Sequence, residues 1–419
     1  MKKLFLTTIG LYLLLLNAFS QSSSTDSTGY EPRPLNLEEA NLVTSYYQQT
    51  GDHSAVTGGI GTEKVTDFSN GFELKFTGVD YHGLKHTLTA GLGIDHHTSA
   101  SSAYVSKTGA SKTGGSRVYP SLNWEVENRP EGTTFGAGLY YSSEYNYKSF
   151  GINAEFAKKT NSNGEFSAKG NVFFDQVKLI YPSELVPGTT TTEAGGTTTY
   201  TTASGRTVTL SGGRGGQEYN IPSSPRTTVS GSFSFSQIMS KRLQGSITVD
   251  VVGQSGYLGL PFHRVYFTTG TDAVENLPSS RYKLPVGVRL NYFLGDKIIL
   301  RSYYRYYTDD WGITSHTASL EVPVKVTPFF SIAPFYRYYV QTAAAYFAPY
   351  EQHKETDTYY TSNYAYSAFS SAYAGVNIRI APPKGLFNSY LNTLEIRYGH
   401  YTQTTDLASN VISLAFTFK

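Results

Sequence analysis

Apolar and polar residues alternate with a period of two along most of this chain, the signature of strands rather than helices. Between Thr228 and Gln237, Val229, Gly231, Phe233 and Phe235 alternate with Thr228, Ser230, Ser232, Ser234 and Ser236. Leu243, Ile247, Val249 and Val251 oppose Gln244, Ser246, Thr248 and Asp250. The same pattern sets Phe72, Leu74 and Phe76 against Glu73, Lys75 and Thr77, and Leu88, Ala90, Leu92 and Ile94 against Thr87, Thr89 and Asp95. Ala318, Leu320, Val322, Val324 and Val326 form another apolar face, and the chain closes on Ile412, Leu414, Phe416 and Phe418.

A soluble β-sandwich alternates too, so other features must separate the two cases. The alternating runs are about 10 to 14 residues long, which suits a tilted bilayer crossing better than the usual soluble strand of about 5 or 6. Connections alternate between short and long. The short ones fall near His82 to Lys85, Asn128 to Gly132, Thr160 to Gly164, Ser240-Lys241, Gly295-Asp296 and Thr327-Pro328. The long ones fall near Gly51 to Thr66, Ser99 to Ser116, Tyr181 to Pro225, Gly256 to Arg281 and Ala344 to Tyr364. Tyrosines and Trp311 crowd the strand ends, where amphipathic rings suit a membrane interface. Hydrocarbon cannot hydrogen-bond an open strand edge, so such a sheet must close. The expectation is an all-β, transmembrane antiparallel β-barrel of about 16 strands, with short periplasmic turns and long external loops.

Composition sharpens this picture. Of 419 residues only 16% are charged, against about 25% in ordinary soluble domains, while 15% are aromatic and 40 are glycine. No cysteine is present, which excludes a disulfide framework, a thiolate metal site and a cysteine nucleophile. Lys2 and Lys3, an apolar run from Leu4 to Leu16 and the small residues Ala18 and Ser20 predict a signal peptide over residues 1–20. Its removal takes Lys+Arg from 34 to 32 against 32 Asp+Glu, leaving a neutral chain without the basic footprint of a nucleic-acid binder. Residues 21–40 are expected to be a disordered leader and residues 41–419 one barrel domain, with the Thr- and Gly-rich tract Gly188 to Gly216 a mobile external loop. The expected location is the outer membrane of a diderm bacterium, with lipid as the principal partner and envelope proteins as further ones.

If the apolar parity meets lipid, the other parity lines the lumen. That places Glu73, Asp95, Glu125, Glu127, Glu155, Asp175 and Asp250 inward from the first part of the chain, with only Lys75 and Lys169 among them. The later strands place Arg289, Arg301, Arg305, Lys325, Arg337, Arg379 and Arg397 inward, with only Glu321 and Glu395. One reading is a transverse field at a constriction that orients small polar solutes in a porin-like passive channel. The other is a plugged barrel whose interior charges neutralise one another, serving as accessory subunit of an envelope assembly.

Other chemistry has thinner support. Gly58-Gly59-Ile60-Gly61-Thr62-Glu63-Lys64 lacks the Gly-Lys-Ser/Thr ending of a phosphate loop and predicts a bent loop instead. Asp95 and His97 share a strand face and would need a third ligand to hold a metal. Asp309, Asp310 and His316 sit at one external turn and are the candidates for an outer-membrane hydrolase, against the simpler reading of a solvated turn cap. No cofactor is implied, and a non-enzymatic role is expected.

Two stretches carry a resemblance. One is Tyr46-Tyr47 through Gly51-Asp52-His53-Ser54-Ala55-Val56-Thr57-Gly58-Gly59, followed by Asp95-His96-His97-Thr98-Ser99-Ala100-Ser101. The other is Arg305-Tyr306-Tyr307-Thr308-Asp309-Asp310-Trp311-Gly312-Ile313 with Pro334-Phe335-Tyr336-Arg337-Tyr338-Tyr339. From about Glu39 onward the chain resembles an uncharacterised family of bacterial outer-membrane proteins known as a domain of unknown function. The resemblance implies a surface-layer barrel, and genes beside flavin-transferase and thioredoxin-like proteins, which point toward envelope redox or metal biology. It carries no catalytic residues.

Overall fold

In the computed structural model, residues 32–98, 114–182 and 222–419 are described, together with Leu185 and the short strands Thr191–Glu193, Thr197–Thr201 and Thr207–Ser211. The expected signal peptide, most of the leader and most of the Gly188 to Gly216 tract lie outside the described residues.

Long antiparallel strands wrap into one closed sheet. In chain order they are β1 (Arg33–Thr50), β2 (Val65–Val79), β3 (Lys85–His97), β4 (Gly115–Asn128), β5 (Thr133–Ser143), β6 (Tyr147–Lys159), β7 (Gly164–Lys178) and β8 (Ser223–Ser240). There follow β9 (Leu243–Gly256), β10 (Ser280–Leu294), β11 (Ile298–Asp309), β12 (Thr314–Glu321 and Val324–Thr327), β13 (Phe330–Gln341), β14 (Phe369–Ile380), β15 (Leu391–Gln403) and β16 (Ala408–Phe418). The sheet has 17 strand segments; the two halves of β12 share β11 and β13 as neighbours, so the barrel has 16 staves. β16 pairs with β1 from Ala40↔Phe418 to Thr50↔Ala408, which removes both edges. The fold is a transmembrane antiparallel β-barrel.

The alternation of the sequence becomes two surfaces. Leu122, Phe135, Leu139, Ile152, Phe174, Val229, Phe233, Val251, Leu290, Leu320, Tyr336 and Ile412 are exposed large apolar side chains on the outer wall. Water would not tolerate so continuous an apolar belt on a monomer, and a bilayer covers it. The intervening positions face the lumen, and cross-strand registers align them in rows such as Glu125↔Gly136↔Glu155↔Lys169↔Ser232↔Asp250.

Three features differ from the sequence expectation. The first strand starts at Arg33, inside the segment read as leader, because Leu37 pairs outward against Phe76 while Arg33 reaches Val79. Two register shifts between Arg33 and Glu39 accommodate Pro34, which has no N–H for a ladder. The alternating run from Ala318 to Val326 is interrupted at Val322-Pro323, yet Leu320↔Tyr336 and Val324↔Ile332 keep its apolar parity. The two ends of the barrel are also less uniform than expected. The loop end carries tight connections at 144–146, 310–313 and 404–407, and the short-turn end carries a longer one at 381–390 with the 3-10 turn Leu386–Asn388.

Buried apolar side chains are few in the wall itself. Ala40, Leu391 and Phe418 form a small cluster near the chain ends, supported by Leu37, Phe72 and Phe416. Val56, Val265, Phe267, Trp311, Ile313 and Ala344, by contrast, belong to the loop end.

Candidate lumen site and its loop cap

Charged lumen residues gather in distinct regions. One cavity of about 560 Å³ brings together Glu39, Glu73, Glu125, Glu127 and Glu155 with Lys75, Lys85 and Lys169. Gly136 separates Glu125 from Glu155 in the register, and the missing side chain leaves room for the Glu155 carboxylate. On the wall made by β11 to β15, a second cavity of about 620 Å³ is lined by Arg305, Arg337 and Arg397 with Tyr303, Phe335 and Tyr373. Glu321 accepts from Arg301 Nη1 at 2.8 Å and lies 3.6 Å from Arg397. Arg379 is answered by Glu395 at 3.1 Å. Arg289 faces the ring of Tyr303, 5.5 Å from its centre. Asp250 accepts from Ser232 at 2.6 Å.

The segregation of acids and bases is less complete than the parity count of the sequence. Arg117 and Arg226 join the acid-bearing wall. Arg117 donates to Ser142 Oγ at 2.8 Å and Tyr140 at 2.6 Å, and Arg226 holds Asp175 at 2.9 Å. Arg281 and Lys283 face inward from β10 beside Asp309. All four bases sit within a few residues of a strand start, where loop-like composition hid their parity.

A cap covers part of the loop end. Connections 51–64, 257–279 and 342–368 pack on one another with protein-like burial: Val265 and Thr361 are 0% exposed and Phe267 is 6% exposed. Arg264 Nη1 donates to Val56 O at 2.6 Å, and Asn276 and Tyr360 exchange backbone bonds of 3.1 and 2.8 Å. His53 stacks on Tyr364 at 3.8 Å. The glycine-rich segment singled out in the sequence is what lets these loops touch. Gly59 has φ +86°, and a Cβ there would meet Ser362 O at 2.6 Å.

Glu275 is the buried latch between two of these loops. Its carboxylate accepts from Thr361 Oγ1 and from Leu260 N, and His263 Nδ1 lies 3.5 Å away. Burial by itself pushes this carboxyl up; His263 and the two hydrogen-bond donors outweigh it and hold it below the ordinary carboxylate range. The cap is tied to the barrel rim where Gln341 Nε2 donates to Ser367 O at 2.6 Å. Nearby, Arg281 lies between the rings of Trp311 (4.4 Å) and Tyr366 (5.5 Å).

The candidate hydrolase residues do not converge. Asp309 faces inward and is saturated: it accepts from Arg281 Nε at 3.0 Å, Tyr307 at 2.6 Å, Trp311 N at 3.1 Å and Ile313 N at 2.9 Å. This is a turn clamp. Asp310 accepts from Tyr282 N at 2.9 Å, and His316 lies on the outer face, 2.7 Å from the Tyr304 hydroxyl. Asp95 accepts from Tyr119 at 2.8 Å, while His97 pairs with Glu144 at 3.1 Å. Among the described residues no three His, Asp or Glu side chains are grouped to hold a metal ion.

A closed barrel with an apolar outer belt and an ionic, cavity-bearing interior defines a membrane β-barrel protein. The chain belongs to the family described as Protein of unknown function (DUF3570), which matches residues 96–411. No curated protein matches it. Among solved structures it is similar to OpdK of Pseudomonas aeruginosa, crystallised with vanillate, at 8% identity and a TM-score of 0.41, covering 91% of this chain and 98% of that one. It is similar to OprD of the same organism at 7% identity and a TM-score of 0.40, covering 91% and 94%. A BenF-like porin from Pseudomonas fluorescens Pf-5 aligns at 8% identity and a TM-score of 0.35, covering 94% and 100%.

Proposed function

We propose that this protein resides in a bacterial outer membrane and passes small polar solutes passively through its charged lumen. The observation that carries the reading is the inner wall itself. It combines cavities of several hundred cubic ångströms with lumen arginines, Arg289, Arg305 and Arg337, that make no ion pair with a carboxylate among the described residues. A packed interior would neutralise such charges, because an unpaired ion away from water is costly. These cations, Arg289 and Arg337 exposed and Arg305 half-buried, face Glu73, Glu125 and Glu155 across a wet lumen and set up a transverse field that favours polar solutes over apolar ones. The cap supports a second reading, a plugged barrel acting as accessory subunit of an envelope assembly, since its loops are locked by buried bonds. Asp309, saturated as a turn clamp, offers no free carboxylate to a hydrolase.

Planar bilayers distinguish the two. Refolded full-length mature protein is expected to give stepwise, ohmic ion currents. Silent bilayers from protein whose gel mobility shifts on boiling would favour the plugged reading.

A further inference from the structure

We propose that the arginine and aromatic wall of the lumen is a binding subsite for small organic carboxylates; this rests on the channel reading above and names the solute class. Phe335 and Tyr373 face into the 620 Å³ cavity, and each lies under a guanidinium. Arg397 is 4.1 Å from the centre of the Phe335 ring and Arg337 is 5.0 Å from that of Tyr373. The two rings are themselves tilted against each other at 5.1 Å. Arg397 is partly engaged by Glu321, 3.6 Å away, whereas Arg337, held over the Tyr373 ring, has no carboxylate partner among the described residues. A guanidinium fork free of carboxylates binds a planar carboxylate through two parallel hydrogen bonds.

Charge bookkeeping shows which of these cations is available. Glu321 is already engaged by Arg301 at 2.8 Å and reaches Arg397 at 3.6 Å. Arg305 and Arg337 line the same cavity and have no carboxylate partner among the described residues. Phe335 is buried beneath Arg397, so the pocket holds a surplus of positive charge beside the half-buried rings of Tyr303 and Tyr373. Bare inorganic oxyanions would satisfy the charge and leave the rings unanswered. A neutral ring would do the reverse. An organic carboxylate answers both.

The test uses full-length mature protein folded in detergent and, in parallel, inserted in planar bilayers. Benzoate is the probe, benzyl alcohol its neutral isostere and inorganic phosphate the bare anion. Calorimetry is expected to show benzoate binding at least about tenfold tighter than either comparison ligand, and Arg305→Gln with Arg337→Gln is expected to weaken it by about tenfold or more. In bilayers, benzoate should reduce chloride current in the parent protein and not in the double variant. Boiling-dependent gel mobility confirms that the variant folds; if it does not, Arg337→Lys, which keeps the charge and loses the fork, should still weaken benzoate binding. Equal binding of benzoate and benzyl alcohol, or binding unchanged in folded variants, would overturn the subsite. Benzoate binding without any ionic current would keep the subsite and defeat the channel reading, whereas current without benzoate preference would do the opposite.

Discussion

Leu122→Arg should cost about 2 to 4 kcal/mol of folding free energy in lipid, the penalty for a cation on the outer face of a barrel near the bilayer midplane. Leu122 pairs with Ala90 and Leu139 and is 44% exposed on the outer wall. On the neighbouring strand, Thr89 faces the other way, into the cavity lined by Glu73, Glu125 and Glu155. Thr89→Arg adds the same side chain on wet, acid-rich ground and should change stability by less than about 1 kcal/mol. Reversible urea titration into vesicles, read by tryptophan fluorescence, measures both. Equal costs would mean that the two parities do not face different solvents.

Loosening the cap is expected to have the second large effect. Glu275→Ala removes the acceptor of Thr361 Oγ1 and Leu260 N and leaves His263 buried without its neighbour, costing the latch about 3 kcal/mol. Amide exchange in 257–279 and 342–368 should then speed up by about a hundredfold, with barrel strands unaffected, and single-channel conductance should rise severalfold as the mouth widens. The carboxyl of Glu275 is lowered in the folded state. Its contribution is therefore complete above the ordinary carboxylate range and is lost as pH falls through the depressed value. Parent protein should open its cap on acidification, and Glu275→Gln should lose that acid dependence. Unchanged exchange in Glu275→Ala would show that the loops are held by something other than this carboxylate.

Strand alternation made the barrel readable because side chains in a strand point to opposite faces, and the two faces here meet opposite solvents. Thr228 to Gln237 shows it plainly: serines on one parity, Val229 and Phe233 on the other, and both sets lie where that alternation puts them. The inward direction of Glu73 or Arg337 follows from the same periodicity. What periodicity does not encode is lateral distance. That Glu321 lies between Arg301 and Arg397 depends on cross-strand register, including the interruption at Pro323. Arg117 and Arg281 stood next to long loops, where a period of two cannot be established from one residue. The cap was the least legible part. Its contacts join Val56 to Arg264 and Glu275 to Thr361, pairs far apart in sequence, in segments with no period at all. Only the run of glycines at Gly58-Gly59 signalled a bend, and nothing in the sequence showed that the bend exists to admit Ser362 and Tyr266.

The chain contains no cysteine, so single cysteines placed one at a time from Thr228 to Phe235 report without background. Each variant, reconstituted in lipid vesicles, would be exposed to a small charged, water-soluble thiol reagent. The even positions 228, 230, 232 and 234 should react readily and the odd positions 229, 231, 233 and 235 should remain protected. Comparable reaction at both parities would contradict a lipid-covered outer wall around an aqueous lumen.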